Sequence, residues 1–397
     1  MREPSENFKS YPHFIFVGLA IALLGYTSLR AHLLSFTCDE ASTYFSHLPR
    51  SVFQCFYSEV CWSDANNHLL NTFLMQVSTG IFGVSEWTLR LPNLFGHFLF
   101  LVFSTLLVRR FSSNFWVGLA GFCLLNFNPY LLEFFSLARG YGLGIGWMMM
   151  SIYFLMRWIE EPKWTLGMYC YVGAIFSVLS NFVFLNYWAS LCAVFILLIF
   201  FEKIGLKKAL DFRWLSLPFV SAIVLFFLLV KPIQFLRNKG EFVFGKESFW
   251  DSFEGLVRVS LMSQGYLHPY TTHTFIGIAI SLLIFSTLYG FYHYGKNQKQ
   301  LISKIHFAAV LLLALLLLGV FVQYYLLDVK FLEGRKATML LPLFGLNVYV
   351  LLQQLYHRGF LKLVTIFSIG ISTFSFVHFQ RTFDLQETIE WSYDAQT

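Results

Sequence analysis

Apolar runs of about 20 residues recur along almost the whole chain, and this pattern limits what the chain can fold into more than any other. A helix needs about 20 apolar residues to cross a hydrocarbon core about 30 Å thick. Of the 397 residues, 57% are hydrophobic and only 13% are charged, whereas soluble domains carry about 25% charged residues. We therefore predict an all-α polytopic membrane protein, with about 11 transmembrane helices in a single domain over residues 1–379. The predicted spans are 14–30, 89–108, 113–132, 139–157, 165–180, 183–201, 215–232, 273–292, 307–326, 337–356 and 361–379.

The polar segments between the spans predict a topology. With the N-terminus in the cytoplasm, Lys and Arg are in excess in the inner segments, as the positive-inside rule requires. The net charge of +6 is then a topology signal, and no basic patch remains for nucleic acid. The outer segments are a first loop at 31–88, a second loop at 233–272 and a tail at 380–397. Within the first loop, 68–82 is apolar but short, which predicts a helix lying in the interface.

The inner loops are too short for a nucleotide-binding domain, since the longest are 202–214 and 292–306. The sequence has no GxxxxGK[ST] motif and no GxGxxG between a strand and a helix, the motifs typical of nucleotide phosphate sites. ATP-driven transport and a built-in nucleotide-sugar site are therefore not supported. Energy or activated substrate must come from another source.

The six cysteines divide evenly between the first outer loop and the apolar helices. Cys38, Cys55 and Cys61 lie in the loop, where a disulfide between Cys55 and Cys61 and free thiols are both open interpretations. No pair has a spacing typical of metal ligands. The cysteines therefore predict no metal site.

Charged residues gather at the outer ends of the predicted helices, whereas the helix centres are almost free of them. Ionisable groups are costly in lipid, so their positions point to function. A reaction site at the outer interface fits this pattern better than a transport path through the midplane. His97, inside the second span, is the exception, and it is either a core histidine bonded to a neighbouring helix or a catalytic group. The outer charged residues are Asp39, Glu40, Arg90, Glu133, Arg139, Lys231, Arg335 and Lys336.

The acidic pair Asp39 and Glu40 follows the first span directly. A partly desolvated carboxylate there would serve as a general base. The alternative is structural, because Asp followed by Ala-Ser-Thr is also typical of a helix start.

A cluster of amides with one imidazole opens the predicted interfacial helix: Asn66, Asn67, His68 and Asn71. These groups suit the binding of hydroxyl or phosphate groups, and the alternative is ordinary helix capping. Arg139 and Arg335 offer fixed positive charge at other outer ends, and a guanidinium grips a phosphate through two parallel hydrogen bonds. Anchoring to lipid headgroups is the alternative for such cations.

The order of these features resembles the GT-C membrane glycosyltransferases, in the branch that contains protein O-mannosyltransferases, the lipid A aminoarabinose transferase and their bacterial relatives. The similarity is dense over residues 36–160 and weaker at Gly334-Arg335 and Leu341-Pro342. Its motifs are Asp39-Glu40, Asn66-Asn67-His68, Phe82-Gly83-Val84-Ser85-Glu86-Trp87-Thr88-Leu89-Arg90-Leu91-Pro92, Arg109-Arg110-Phe111, Asn128-Pro129-Tyr130 and Ser136-Leu137-Ala138-Arg139-Gly140-Tyr141.

The resemblance implies a GT-C fold and a sugar donor linked to polyprenyl phosphate. Sugar would pass to a lipid, glycan or protein acceptor on the outer face of a bacterial inner membrane, by one inverting displacement. Asp39 would be the catalytic carboxylate with Glu40 beside it. Arg139, Arg335 and His68 would bind the donor phosphate. No cofactor is assigned, and the need for a divalent cation stays open.

Asn66, Asn67, Asn71 and Tyr141 complete the predicted substrate site. Tyr141 stands where aminoarabinose-type members carry an acidic residue, which implies a different donor or acceptor. Two other functions stay open on the sequence: a transporter or flippase of lipid-linked saccharides, and a polysaccharide polymerase or ligase. The first would use the same outer cations without chemistry, and the second would use the long loop at 233–272.

Overall fold

The computed structural model describes residues 13–62, 66–112, 114–206, 212–241, 245–262 and 268–389. Within these ranges the chain is almost entirely helical, and a single β-bridge pairs Lys246 with Phe331. The all-α prediction is confirmed. The helices are α1 (His13–Leu33), α2 (Cys38–Ser42), α3 (Val52–Cys55), α4 (Leu69–Phe82), α5 (Glu86–Phe111), α6 (Phe115–Asn126), α7 (Pro129–Phe135), α8 (Tyr141–Glu160), α9 (Trp164–Ser180), α10 (Leu185–Leu206), α11 (Ser216–Asn238), α12 (Phe249–Leu261), α13 (Pro269–Lys296), α14 (Leu301–Leu327), α15 (Leu340–His357) and α16 (Leu361–Arg381).

Nine helices among the described residues are long and apolar enough to cross a membrane: α1, α5, α8, α10, α11, α13, α14, α15 and α16. The chain is an integral membrane protein. These nine correspond to nine of the predicted spans, and the other two differ from the prediction in form.

The predicted span 113–132 is broken, because α6 and α7 meet at an angle of 59°. The side-chain oxygen of Asn128 accepts the Leu131 amide at 3.0 Å, and Pro129 occupies the first turn of α7. Proline lacks an amide hydrogen and restricts the residue before it to extended conformations, so one helix cannot run through this point. The predicted span 165–180 forms α9, whose 17 residues are fewer than the usual 20 or so.

Helices α5 and α8 pack closely at the centre of the bundle. A Cβ atom at Gly96 would lie 2.5 Å from the Cα of Leu143, and one at Gly146 would lie 2.2 Å from the Gly96 carbonyl oxygen. Only glycine permits helices to approach this closely. This close packing brings together the helix ends near Arg90 and Arg139, which are predicted to lie on the outer side.

The first outer loop is a compact helical segment that contains α2, α3 and α4. A disulfide joins Cys55 to Cys61, which resolves the alternative left open by the sequence. The buried indole of Trp62 donates to the Cys55 carbonyl at 2.7 Å. The predicted interfacial helix is α4, which packs against α5 and α9.

The remaining outer segments carry more structure than a loop and a tail. Within 233–272, α11 continues to Asn238, α12 forms a separate helix and α13 begins at Pro269. After α16, residues 382–389 fold back over α1 and α7. Residues 390–397 of the predicted tail lie outside the described residues.

Candidate active site

The acidic pair lies in the first turn of α2, which Thr37 caps. The Thr37 hydroxyl accepts the Glu40 amide at 3.3 Å, and the Glu40 carboxylate accepts the Thr37 amide at 3.0 Å. This reciprocal pattern is a capping box, and carboxylates are favoured near the positive end of a helix. The helix start expected at the acidic pair is present, but its N-cap is Thr37 and not an acidic residue. The neighbouring Asp39 has different surroundings from Glu40.

Glu40 is completely buried and forms a two-point ion pair with Arg90. The Nε and Nη2 atoms of Arg90 donate to its two carboxylate oxygens at 2.8 and 2.7 Å, and the Ala138 amide donates to Oε1 at 2.7 Å. Burial alone would raise the pKa of Glu40, but the charge of Arg90 and these hydrogen bonds outweigh it and leave the pKa below 4.5. Glu40 is thus held in its ionised form.

Arg90 also donates to the carbonyl oxygens of Ala31, Leu34 and Ser35, at 2.8 to 2.9 Å. We call Glu40 and Arg90 the buried anchor, because together they fix the end of α1, the start of α2 and the segment before α8. The catalytic role predicted for Glu40 stays a prediction, and the donors around its carboxylate favour a structural role instead.

Asp39 retains contact with solvent, with 18% of its side chain exposed, and two arginines converge on it. Its Oδ2 atom lies 2.6 Å from Nη1 of Arg335 and 3.2 Å from Nη2 of Arg139, and Asn66 lies 3.4 Å from its Oδ1 atom. We call these four residues the Asp39 cluster. The structure brings together four residues that the sequence predicted separately.

Arg139 is positioned by the irregular segment 136–140, between α7 and α8. Its guanidinium is buried, and it donates to the Asn66 side chain at 2.8 Å and to the Asp39 carbonyl at 3.2 Å. Gly140 has φ +69°, and a Cβ atom there would lie 2.4 Å from the Ser180 carbonyl oxygen. A residue with a side chain would be strained and crowded at position 140, so this glycine is needed to direct Arg139 at Asp39.

Arg335 approaches from the opposite end of the sequence, on the short 3-10 helix Gly334–Ala337. The bridge between Lys246 and Phe331 and an ion pair between Lys246 and Glu333, at 2.8 Å, attach this segment to the second outer loop. Arg335 is partly exposed. The predicted phosphate-binding arginines therefore reach Asp39 from two separate parts of the fold.

The other predicted binding residues lie beside the cluster. The ring of His68 packs edge-on against Tyr141, with centroids 5.7 Å apart, and both side chains are almost buried. The amide of Asn67 donates to the Cys61 carbonyl at 3.1 Å, and Asn71 accepts from Asn93 at 2.8 Å. Asn67 and Asn71 are thus engaged within the fold, which favours their structural interpretation over substrate contact.

Two further polar groups are explained by the structure. His97 bonds through Nδ1 to the Thr27 hydroxyl on α1 at 2.7 Å, and this confirms the core-histidine interpretation. Glu133 is fully buried and pairs with Arg30 at 3.3 Å. Sequence reasoning missed Arg30 because it lies in the last turn of a span, where a basic residue is usually an interface anchor.

An apolar groove of about 380 Å³ lies between α12, α13, α14 and α15. One of its lining residues, Ala337, ends the 3-10 helix that carries Arg335, so the groove begins beside the Asp39 cluster. Its lining is Asn128, Phe249, Trp250, Ser252, Phe253, Leu256, Val257, Ser260, Leu261, Phe275, Ala279, Ile280, Leu283, Ile284, Leu313, Leu317, Val320, Phe331, Leu332, Ala337, Leu340, Leu341 and Phe344.

The two guanidinium groups of the cluster are of a kind that binds anions. Arg139 and Arg335 both contact the Asp39 carboxylate, while Glu40 and Glu133 pair with two other arginines, Arg90 and Arg30. Over the part of the chain that the structure describes, no three His, Cys, Asp or Glu side chains converge as metal ligands would. The guanidinium groups of Arg139 and Arg335 can bind a phosphate group through paired hydrogen bonds.

No protein-family model matches the sequence, and no curated protein matches it. Solved structures do match. The crystal structure of ArnT from Cupriavidus metallidurans in the apo state superposes with a TM-score of 0.52 and 14% identity, over 88% of this chain and 61% of ArnT. The chain has a GT-C-like fold. At this identity the likeness shows the fold alone, and the chain spans about three fifths of the length of ArnT.

Two further structures are more distant. ArnT from Cupriavidus metallidurans bound to undecaprenyl phosphate gives a TM-score of 0.49, with 15% identity over 90% of this chain and 62% of that chain. The arabinosyltransferase EmbB from Mycobacterium smegmatis gives 0.41, with 12% identity over 92% of this chain and 40% of that chain. The GT-C fold expected from the sequence motifs is confirmed by the apo ArnT match.

Proposed function

We propose that the chain is a glycosyltransferase that moves a sugar from a polyprenyl-phosphate donor to an acceptor on the outer face of the membrane. The observation that carries the proposal is the convergence of Arg139 and Arg335 on Asp39, near an apolar groove that Ala337 helps to line. In a polyprenyl-phosphate donor the phosphate lies between the sugar and the prenyl chain. These three parts match, in order, the carboxylate, the arginines and the groove of the protein. The carboxylate would face the sugar, the arginines the phosphate, and the groove the chain.

The reaction is one displacement at the anomeric carbon. The acceptor hydroxyl oxygen attacks that carbon, the bond from carbon to phosphate oxygen breaks, and polyprenyl phosphate leaves with the bonding electrons. Asp39 takes the hydroxyl proton as the new bond forms. Attack opposite the leaving group inverts the anomeric configuration.

The two arginines stabilise the leaving group more than the bound donor. A phosphodiester carries one negative charge, and the phosphate gains a second as it departs, so guanidinium contacts strengthen toward the transition state. Contacts of this kind lower the barrier, because they act where charge develops. Arg139 is held rigidly by Asn66 and by the Asp39 backbone, so it needs little reorganisation.

Donor binding also releases Asp39 for catalysis. Both arginines contact the Asp39 carboxylate, at 2.6 and 3.2 Å. An incoming phosphate competes for the same guanidinium hydrogens and draws them from the carboxylate. Asp39 can then accept a proton from the acceptor.

The fold supports a lipid-linked donor. ArnT, whose apo structure has this fold, has also been solved with undecaprenyl phosphate bound. The disulfide between Cys55 and Cys61 is typical of an oxidising compartment, which agrees with a first loop on the outer face of a bacterial inner membrane. His68 and Tyr141, beside the cluster, are the proposed contacts to sugar or phosphate.

The test uses purified protein in proteoliposomes that contain a polyprenyl-phosphate sugar labelled in the sugar. We expect release of free polyprenyl phosphate together with labelled acceptor, when extracts of surface glycans or lipids supply the acceptor. Movement of intact donor across the bilayer, without release of polyprenyl phosphate, would instead identify a flippase. Mass spectrometry of cells that lack the gene should show unconsumed donor and an acceptor without its sugar.

A further inference from the structure

The segment 384–389, after the last helix, is held against the bundle by a buried ion pair. The guanidinium of Arg30 donates to the backbone carbonyls of Asp384 at 2.7 Å and Glu387 at 2.5 Å. Glu133 accepts the Ile389 amide at 2.7 Å and pairs with Arg30 at 3.3 Å. One cation and one anion thus grip three backbone groups of the segment.

Two further contacts fix the shape of this segment. The Tyr26 hydroxyl donates to the Asp384 carbonyl at 2.9 Å. The Asp384 carboxylate accepts the amides of Gln386 and Glu387 at 2.7 and 2.6 Å, which forms a tight turn. Burying a charge pair is costly unless hydrogen bonds compensate it, and here the backbone of the segment supplies two acceptors to Arg30 and one donor to Glu133. Arg30, Glu133 and Tyr26 therefore form a specific binding surface for the backbone of this segment.

Ile389 packs against an apolar cluster that links the two sides of the Asp39 cluster. We call it the outer apolar cluster, and its buried members are Leu34, Tyr130, Phe134, Leu137, Tyr141, Leu256 and Ala337. Leu137 and Tyr141 flank Arg139, and Ala337 follows Arg335. Leu256 and Ala337 also line the apolar groove.

We propose that residues 384–389 form a strap that fixes the opening of the donor groove, with Ile389 as a positioning residue. This inference rests on the proposed function. Ile389 packs against the cluster that contains Leu256 and Ala337, and Arg30 and Glu133 hold the backbone that carries it. The strap therefore sets where the first part of the prenyl chain lies relative to Arg335, and it takes no part in the chemical step.

The test compares Ile389→Ala with the conservative Ile389→Val and with Gln386→Ala, a control on an exposed side chain of the same strap. We expect Ile389→Ala to raise the KM for the polyprenyl-phosphate sugar about five- to tenfold, through lost apolar packing, with kcat unchanged. Ile389→Val should restore most of the loss, and Gln386→Ala should match the parent. Glu133→Gln, which keeps an acceptor but removes the ion pair, should also raise KM.

A second measurement is the affinity of each purified variant for undecaprenyl phosphate in detergent, which should fall by the same factor as KM rises. Unchanged KM and affinity in a folded Ile389→Ala variant would overturn the strap, and so would a fall in kcat alone. A parent that binds the lipid phosphate but transfers no sugar would overturn the proposed function only. The affinity of Ile389→Ala for undecaprenyl phosphate, relative to that of the parent, would then show whether the strap has the proposed role. A parent that does not bind it would overturn both.

Discussion

Asp39 and Glu40 are adjacent on α2, yet they belong to two different regions of the molecule. Glu40 is fully buried, and Arg90, Ala138 and Thr37 all donate to its carboxylate. Asp39 keeps part of its surface in solvent and contacts two arginines that come from distant parts of the chain. Neighbouring residues on a helix point about 100° apart, which is enough to place one carboxylate in the core and the other at a cleft.

The difference in burial between Glu40 and Asp39 distinguishes an ion pair that stabilises the fold from one that lies at a candidate binding site. The buried anchor, Glu40 and Arg90, satisfies its charges with fixed protein partners and gains rigidity from them. The Asp39 cluster brings two guanidinium groups to one partly exposed carboxylate, so an anion that reaches it can compete for their hydrogens. The anchor determines the geometry of the cluster, because Ala138, which donates to Glu40, immediately precedes Arg139.

The largest expected effect is on the anchor. Arg90→Met leaves the Glu40 charge buried without its partner, which should cost about 3–5 kcal/mol of stability. The matched control is Arg110→Met, because Arg110 pairs with Glu160 through the same two-point geometry, at 2.8 and 3.1 Å, but on the surface. Its loss should cost less than about 1 kcal/mol.

Thermal unfolding in detergent, followed by size-exclusion chromatography, measures the difference between these two variants. The double variant that combines Glu40→Gln with Arg90→Met removes both charges and should regain part of the lost stability. If Arg90→Met and Arg110→Met unfold at the same temperature, the anchor does not have the role described here.

A smaller effect is expected for Arg335→Lys, which keeps the positive charge but removes the guanidinium that can bind a phosphate through two hydrogen bonds. We expect kcat/KM for the donor to fall about tenfold, equivalent to about 1.4 kcal/mol. Arg237→Lys, at an exposed position in the second outer segment, is the control and should match the parent. Equal activity of all three proteins would show that Arg335 does not contact the phosphate.

The smallest effect is expected from pH: near neutral pH, titration of the Glu40 carboxylate should hardly change the stability of the protein. The pKa of Glu40 is lowered in the folded protein because the Arg90 charge and hydrogen bonds outweigh the effect of burial. The ionised carboxylate therefore contributes its full stability above the unfolded value of about 4.5, and this contribution is lost as the pH falls through the lower folded pKa. The contribution of Glu40 to the melting temperature should therefore stay constant from pH 5 to 8.

The pH prediction is checked with Glu40→Gln, whose stability should depend less on pH than that of the parent below about pH 4.5. A parent whose Glu40-dependent stability is instead lost as the pH rises from 5 to 8 would contradict the lowered pKa.

Much of the fold could be predicted from the sequence, because apolar runs of the right length have few other structures open to them. The break at Asn128 and Pro129 was missed, since a hydropathy pattern does not distinguish a continuous span from two helices that meet at an angle. The proline carried the signal, because it ends or begins a helix more often than it continues one.

The candidate site was predictable in its residues but not in their partners. Asp39, Arg139 and Arg335 were found from their places at helix ends and from motif order, although Arg335 lies 296 positions from Asp39. Nothing in the Asp39-Glu40 dipeptide indicated that Glu40 would form a buried ion pair with Arg90. The strap could not be predicted from the sequence either. Arg30 and Glu133 bind its backbone, and contacts with backbone groups do not depend on the side chains that a sequence lists.

The most direct test of the central claim compares Asp39→Asn with Glu40→Gln and the parent, with turnover of the polyprenyl-phosphate sugar measured per folded molecule. We predict that Asp39→Asn lowers kcat by about 10²- to 10⁴-fold, the usual contribution of a positioned general base, and leaves the melting temperature near that of the parent. Glu40→Gln should lower the melting temperature while its folded fraction remains active. An Asp39→Asn variant that transfers sugar as fast as the parent would contradict the account.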